Sequence, residues 1–245
     1  MSRIRKLEEI TLNSWPAAYS RLRDGWIMRC AGGYTNRSNS VYPLYDSHES
    51  LSHKIEEVRS FYRSRDLPPM FKLTQESKPV FLDKTLEEMG FQEIDRALVM
   101  TKTLDSKRLD ISDLDIFPTP EERWLDIFFS LNKRARGNKS WAKKLLSMLI
   151  SESFFVLLKK EGNDVGCGLA VIEGDHIGLF GIAVLETERR KGYGIQITEK
   201  LLELGKKRGA RIAYLQVDKP NINAIRLYSR VGFKMEYEYW YRVDK

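Results

Sequence analysis

Apolar residues recur along this chain in two rhythms, and the alternation between them outlines its elements. Residues 25–30 (Gly-Trp-Ile-Met-Arg-Cys) form a short apolar strand, Gly32-Gly33 a turn, and residues 39–42 a second strand. Leu51, Ile55, Val58 and Tyr62 then fall at three- and four-residue steps, which predicts a helix over residues 47–65, ended by Pro68-Pro69. A strand at 70–73 and an amphipathic helix at 81–89 follow; Gly90 suits the left-handed position past a helix end, and a strand runs from 94 to 101. Helices are predicted over 121–131 and 141–150, either side of Gly137-Asn138, and strands over 154–159 and 165–173, joined by the turn Glu161-Gly-Asn-Asp164. Gly174-Asp175 turns into a third strand at 176–185. Beyond it lie a helix over 195–208 closed by Gly209, a strand over 211–217, a helix over 221–231 stopped by Gly232, and an aromatic-rich strand over 233–243.

Hairpins followed by strand–helix–strand imply a mixed sheet in an α/β or α+β fold. The regular pattern breaks near residues 104–120, where Asp105-Ser106-Lys107 and isolated acids lead to Pro118-Thr119-Pro120. Two halves are therefore expected, at 1–105 and 110–245. A short internal echo supports duplication: Leu86-Glu-Glu-Met-Gly-Phe91 parallels Leu227-Tyr-Ser-Arg-Val-Gly-Phe233.

Composition narrows the setting. At 245 residues, 42% hydrophobic and 31% charged, the chain reads as an ordinary globular protein. Its apolar runs fall short of the roughly 20 residues of a membrane span, and Met1-Ser-Arg-Ile-Arg-Lys has no apolar core behind it, so no signal peptide is expected. Cys30 and Cys167 lack metal-ligand or CxxC spacing and read as buried thiols of a reduced, cytoplasmic protein. The net charge of +7 is scattered, with clusters at residues 133–136, 189–191 and 206–211 and no basic tract interleaved with aromatics. That pattern disfavours nucleic acid as the ligand and fits the positive field that a phosphate-bearing cofactor attracts.

The chemistry concentrates in Arg189-Arg190-Lys191-Gly192-Tyr193-Gly194, between a strand and a helix. Two glycines let bare backbone approach a ligand, the helix start turns N–H groups and a positive dipole end outward, and three cations favour phosphate. No Gly-Lys-Ser/Thr occurs, so this is not a Walker loop. Ile197 occupies the third glycine position of a dinucleotide fingerprint, which excludes that motif as well.

Val184-x-x-x-x-Arg189-x-x-Gly192-x-Gly194 resembles the acetyl-CoA-binding motif of the GCN5-related N-acetyltransferase (GNAT) superfamily. Asn221-x-x-Ala224-x-x-Leu227-Tyr228-x-x-x-Gly232-Phe233 resembles the motif that follows it in the same superfamily. The resemblance covers residues 154–243 well and extends loosely back to 118; Glu186 stands where the family often has Pro, which bears on turn stiffness more than chemistry. It implies a GNAT-like acyl-CoA fold, with tandem GNAT-like halves of which the C-terminal one binds cofactor. It implies that the strand ending Ile182-Ala183-Val184 splays from its neighbour and pairs with pantetheine. Arg189, Arg190, Lys191, Gly192, Tyr193, Gly194 and Ile195 would hold the pyrophosphate, Asn221 would touch the pantetheine end, and Tyr228 would protonate the departing thiolate. A phenol of pKa near 10 is a credible donor to a thiolate of pKa about 8.5 to 10; a core aromatic is the alternative reading of Tyr228.

The first half lacks a comparable Gly-rich anion turn. Its run Trp15-Pro16, Gly25-Trp26-Ile-Met-Arg29 and Gly33-Tyr34-Thr-Asn-Arg37-Ser-Asn39-Ser40 resembles an N-terminal segment of two-part bacterial acetyltransferases. Trp26, Arg29, Tyr34, Arg37 and Asn39 are therefore expected to bind the acceptor, against the alternative of core aromatics and structural cations. The expected activity is direct transfer of acetyl from acetyl-CoA to a primary amine of a small molecule or peptide in a ternary complex, without metal. O-acylation, a longer acyl chain and a non-catalytic acyl-CoA sensor are the alternatives. A homodimer is left open. No general base is identified; Glu173, Asp175, His176 and Glu186 are the candidates near the cofactor strand.

Overall fold

The computed structural model describes residues 1–104 and 114–245. The acids and Asp105-Ser106-Lys107 of the expected seam fall within 105–113, outside the described residues. The chain begins with α1 (Arg3–Ser14), which the sequence pattern missed. Ile4, Leu7, Ile10 and Thr11 give it one buried stripe, and Ser2 caps it by accepting from the Arg5 N–H at 3.1 Å. Then come β1 (Tyr19–Arg23), β2 (Trp26–Cys30), β3 (Val41–Pro43), α2 (Leu51–Arg63), β4 (Met70–Thr74), α3 (Leu82–Glu88) and β5 (Gln92–Thr103). The second half runs β6 (Leu114–Phe117), α4 (Glu122–Leu131), α5 (Lys133–Arg136), α6 (Lys139–Ser147), β7 (Ser153–Lys160), β8 (Asn163–Glu173) and β9 (His176–Val184). It ends with α7 (Tyr193–Lys207), β10 (Ile212–Asp218), α8 (Ile222–Val231) and β11 (Lys234–Val243).

The strands join in one mixed sheet, in the order β1-β2-β3-β4-β11-β5-β10-β9-β8-β7-β6. Its centre interleaves the halves. The last strand of the second half, β11, lies between β4 and β5 of the first, and β5 in turn lies between β11 and β10. Both central strands belong jointly to the two faces, because alternate side chains point opposite ways. On β5, Ala97 and Val99 join the core beneath α1 and α4, whereas Leu98 and Met100 join the core beneath α7 and α8. A third core packs Trp26, Phe71 and Leu73 beneath α2 and α3.

The echo seen in sequence is present in geometry. Strand–helix–strand units β4-α3-β5 and β10-α8-β11 interleave at the sheet centre, each with one strand of the other between its own two. Both helices end on a glycine with positive φ, Gly90 at 88° and Gly232 at 98°, where a side chain would strain the backbone. α1 is fixed to the sheet by a buried network: the Lys72 ammonium pairs with the Glu8 carboxylate, which also accepts from the Tyr237 hydroxyl at 2.6 Å.

Candidate active site

β9 and β10 pair in parallel from Ile212 opposite His176 to Leu215 opposite Leu179, and then diverge. A bulge helps: β9 shifts register against β8 between Cys167 and Leu169, and Gly181 takes a φ of 59°. Over residues 180–184 the edge of β9 facing β10 thus has no strand partner among the described residues, and at its far end the Val184 carbonyl accepts from Arg189 Nε at 3.4 Å. This edge runs into a cleft of about 650 Å³ between β9, the start of α7 and α8.

The turn at the end of this cleft is shaped for an anion. Arg190 and Gly192 both have positive φ, 67° and 83°, with Lys191 between them. Such alternation curls successive N–H groups inward into a concavity. Among the described residues, the backbone N–H groups of residues 190–194 donate to no acceptor, and they open onto the positive end of the 15-residue α7. The two glycines serve different ends. Gly192 supplies the left-handed conformation, whereas a Cβ on Gly194 would lie 2.7 Å from Leu227 Cδ1, so Gly194 lets α7 and α8 close together.

Of the predicted cofactor residues, Ile182, Ala183, Val184, Arg189, Arg190, Gly192, Tyr193, Gly194, Ile195 and Asn221 all line the cleft. Lys191 does not; its ammonium sits 3.0 Å from Glu188. Asn221 does so as the N-cap of α8, its Oδ1 accepting from the Ala224 N–H at 3.2 Å. Sequence reading missed Arg226 and Arg230, one turn apart on α8, which add two cations to the same wall. Their four-residue spacing, which puts both on one side of the helix, was the available signal.

A second cavity, of about 440 Å³, adjoins the first. The two share Ile182, Asn221, Ala224 and Tyr228, so Tyr228 stands where they meet. Its ring packs edge-on against Phe233 (6.0 Å between centroids), and its hydroxyl has no hydrogen-bond partner among the described residues. Burial pushes this phenol up to about 12, so it is a firmly protonated donor and a weaker acid than an unperturbed tyrosine.

The first half lines this second cavity with two of the five predicted acceptor residues, Tyr34 and Arg37. Tyr34 is 1% exposed, and burial, opposed by Arg37 and Arg134, pushes it up to about 12. The other three are occupied elsewhere, which corrects the expectation for them. Trp26 is packed beneath α2, with Lys54 over its ring (3.9 Å) and its Nε1 donating to the Lys78 carbonyl at 3.0 Å. Arg29 is 2% exposed and spends its guanidinium on the carbonyls of Leu12, Trp15 and Arg37, at 3.1, 2.6 and 3.1 Å. The Asn39 side chain closes the loop around it by bonding the backbone of Ala31, Gly33, Tyr34 and Thr35. These residues shape the loop that presents Tyr34 and Arg37.

None of the four candidate bases lines either cavity. Glu173, Asp175 and His176 lie at the opposite end of β9 from the divergence, Glu173 bonded to Asn13 and Ser151. Glu186 is 89% exposed. The carboxylates that do line the second cavity are Asp95 and Asp218, two residues not singled out in the sequence.

The turn of the first half that corresponds in topology to residues 189–194, between β3 and α2, is filled by the protein itself. The Asp24 carboxylate accepts from Ser47 Oγ at 2.6 Å and from the His48 and Glu49 N–H groups at 3.1 Å. These bonds, that with Ser47 foremost, hold Asp24 well below the usual carboxylate range. A built-in carboxylate thus occupies the anion-binding donors of this half.

Among the described residues no helix is long and apolar enough to cross a membrane, and no group of three His, Cys, Asp or Glu could hold a metal ion. Residues 1–242 match the family model described as "Probable histone acetyltransferase Rv0428c C-terminal". The "Uncharacterized N-acetyltransferase YobR" of Bacillus subtilis (strain 168) is 32% identical over 254 residues, covering both chains completely. A GCN5-related N-acetyltransferase from Kribbella flavida superposes with a TM-score of 0.74 at 15% identity, covering 100% of this chain and 96% of its own. A conserved protein of unknown function from Staphylococcus epidermidis superposes with a TM-score of 0.67 at 14% identity, covering 96% of each chain. At these identities the two structures speak for the fold.

Proposed function

The chain belongs to the GCN5-related N-acetyltransferase superfamily, and from that premise we propose that it moves an acetyl group from acetyl-CoA to a primary amine by direct transfer. The observation that carries this reading is the meeting of the two cavities at Tyr228. One cavity has an open strand edge and an anion-shaped turn, and the other has polar and aromatic walls. The unpaired N–H groups of residues 190–194 suit a pyrophosphate, with Arg189 and Arg190 adding charge. The free edge of β9 suits an amide-bearing arm, which can bond backbone as a strand would. Arg226 and Arg230 suit the further phosphate that distinguishes coenzyme A from a simple thioester.

Acetyl-CoA supplies the thioester carbonyl that the amine attacks; the C–N bond forms and the C–S bond breaks. Tyr228 donates its hydroxyl hydrogen toward the departing sulfur. With its pKa near 12, the phenol works best as a hydrogen-bond donor to developing charge, and a desolvated thiolate is itself made more basic by the same burial. The proton released by the amine leaves through solvent or through Asp218, which lies at the acceptor cavity with no partner of its own among the described residues. Cys167 is no acyl carrier: it is fully buried, and burial pushes its thiol up to about 12.

In this reading residues 110–245 carry the cofactor and residues 1–105 are a degenerate copy that shapes the acceptor cavity. Titration calorimetry with acetyl-CoA, followed by thiol release with an amine panel, tests the whole proposal. Binding without any turnover would favour an acyl-CoA sensor instead.

A further inference from the structure

The acceptor cavity contains a cation with no counter-ion. The Arg37 guanidinium lies over the Trp15 ring at 4.7 Å and near Phe180 at 5.6 Å, and its Nη1 donates to Gln216 Oε1 at 3.1 Å. No carboxylate lies within ion-pair distance of it among the described residues, whereas Arg134, the other cation of this cavity, is 3.7 Å from Asp95. The far end of Gln216 is also unsatisfied: its Nε2 is buried and has no hydrogen-bond partner. The amide cannot simply be reversed, because Arg37 only donates and needs Oε1 facing it. Two donor groups therefore sit side by side at the wall of this cavity, among the described residues the guanidinium bonded only to Gln216 and the buried Gln216 Nε2 to nothing. Buried donors are not left so without cost, and a ligand that accepts from both would remove it.

We infer that the acceptor is a small amino carboxylate, held by its carboxylate at Arg37 and Gln216 with its amine directed to the Tyr228 junction. The inference rests on acetyl transfer to an amine as proposed above, and names the substrate class. A guanidinium set against the stacked Trp15–Phe180 pair presents its remaining N–H groups as a fork, which matches a planar carboxylate. One such cation balances a single negative charge; a phosphate dianion would want a second. The opposite polarity follows along β10. Asp218 is two residues beyond Gln216 on the same face, roughly 7 Å away by strand geometry, and its free carboxylate attracts the ammonium end. Trp15, Phe180 and Tyr239 form apolar walls suited to a hydrophobic side chain between the two ends. A polyamine or a basic peptide tail would bring only positive charge to Arg37.

The test compares amino acids with their carboxamides and their decarboxylated amines, by thiol release with acetyl-CoA. At least one amino acid should be used with a kcat/KM about tenfold or more above both analogues. Arg37→Leu and the isosteric Gln216→Glu, which would offer Arg37 an internal partner, should abolish that preference while acetyl-CoA affinity stays within about twofold by calorimetry. Arg37→Lys should restore it only in part, since an ammonium lacks the fork. Amides or amines used as well as the acids, phosphoethanolamine preferred over every carboxylate, or a preference that survives Arg37→Leu would each overturn the inference. If no amine is acetylated although acetyl-CoA binds, the proposed reaction fails separately. The carboxylate site is then read by thermal shift with the same amino acids and CoA: stabilisation lost in Arg37→Leu supports it, and no stabilisation by any acid overturns it.

Discussion

Leu86 and Tyr228 occupy matching places in the two halves: each carbonyl accepts the N–H that closes its helix, from Phe91 at 2.9 Å and from Phe233 at 3.0 Å. In both, the preceding glycine N–H bonds three residues back, to Glu87 and to Ser229. One backbone motif therefore presents a fully buried leucine in the first half and a cleft-lining phenol in the second. Tyr228→Phe removes only the donor and keeps the packing on Phe233. It should leave acetyl-CoA affinity within about twofold and slow turnover by roughly 10²-fold, the usual size for loss of a proton donor. Since the phenol titrates only near 12, the pH–rate profile below about pH 10 should keep its shape in the variant. Unchanged turnover in Tyr228→Phe would contradict the assignment, and an alkaline limb below about pH 10 that vanishes with it would show a phenol less perturbed by burial.

The turn offers a sharper test of the cofactor. Gly192→Asp places a side chain at a φ of 83° and a negative charge among unpaired N–H groups and arginines. Acetyl-CoA affinity should fall by at least about tenfold, equivalent to about 1.4 kcal/mol. A Cβ at Gly192 meets no neighbouring atom within 4 Å, so the cost to the fold should be confined to the backbone strain of a side chain at positive φ, about 1 kcal/mol. Binding that survives Gly192→Asp, with the melting temperature preserved, would remove the turn from the cofactor site.

Arg29 and Arg37, eight residues apart in one sequence motif, should separate cleanly. Arg29→Ala strands three carbonyls around a buried cationic site and should lower stability by about 2–4 kcal/mol. Arg37→Ala removes a cleft-facing side chain and should shift stability far less while raising the acceptor KM. Denaturant melts and initial rates on both variants decide this; equal destabilisation would make the whole motif structural.

Much of this was legible in the chain. The three-and-four spacing of Leu51, Ile55, Val58 and Tyr62, the glycine stops and the β8–β9 hairpin all follow from local physics, and the structure has them within a few residues. The wall of the first cleft, proposed above for the cofactor, was legible because a turn and a helix start are local. The second cavity was not. Trp15, Phe180, Gln216 and Tyr239 come from four elements that only the interleaved sheet brings together. Polarity in the sequence also could not say which arginine faces inward to carbonyls and which faces a cavity. α1 went unseen because its apolar residues are spaced among charges and cover the second half's sheet from the far end of the chain. β1 is mostly exposed, and so lacks the alternation that marks a half-buried strand.

The interleaving of β5 and β11 bears on whether the halves are independent domains. A protease site engineered within 105–113 cuts the connection without touching either strand. The nicked protein should stay associated on gel filtration and melt as one cooperative unit, because each piece supplies a central strand to the other. Residues 1–104 expressed alone should be largely unfolded by circular dichroism. Two separable, independently melting pieces would count against mutual dependence.

His176 gives the pH dependence of stability. It is 3% exposed at the start of β9, with its Nδ1 2.7 Å from Asp175 Oδ1. Burial lowers its pKa below 6.5, opposed by the hydrogen bond and charge of Asp175 and reinforced by Lys6 and Arg3. The folded state thus prefers the neutral ring, and the unfolded chain takes up a proton first as pH falls. The stability contributed by His176 is therefore fully present above pH 6.5 and is lost as pH drops through its depressed folded value. His176→Gln cannot titrate, so the stability advantage of the wild type over this variant should shrink between pH 7.5 and pH 5, as read from paired urea melts. A difference constant over that range would show that folding leaves the ring's titration unshifted, and one that grows toward acid that the ring is charged in the folded protein and paired with Asp175.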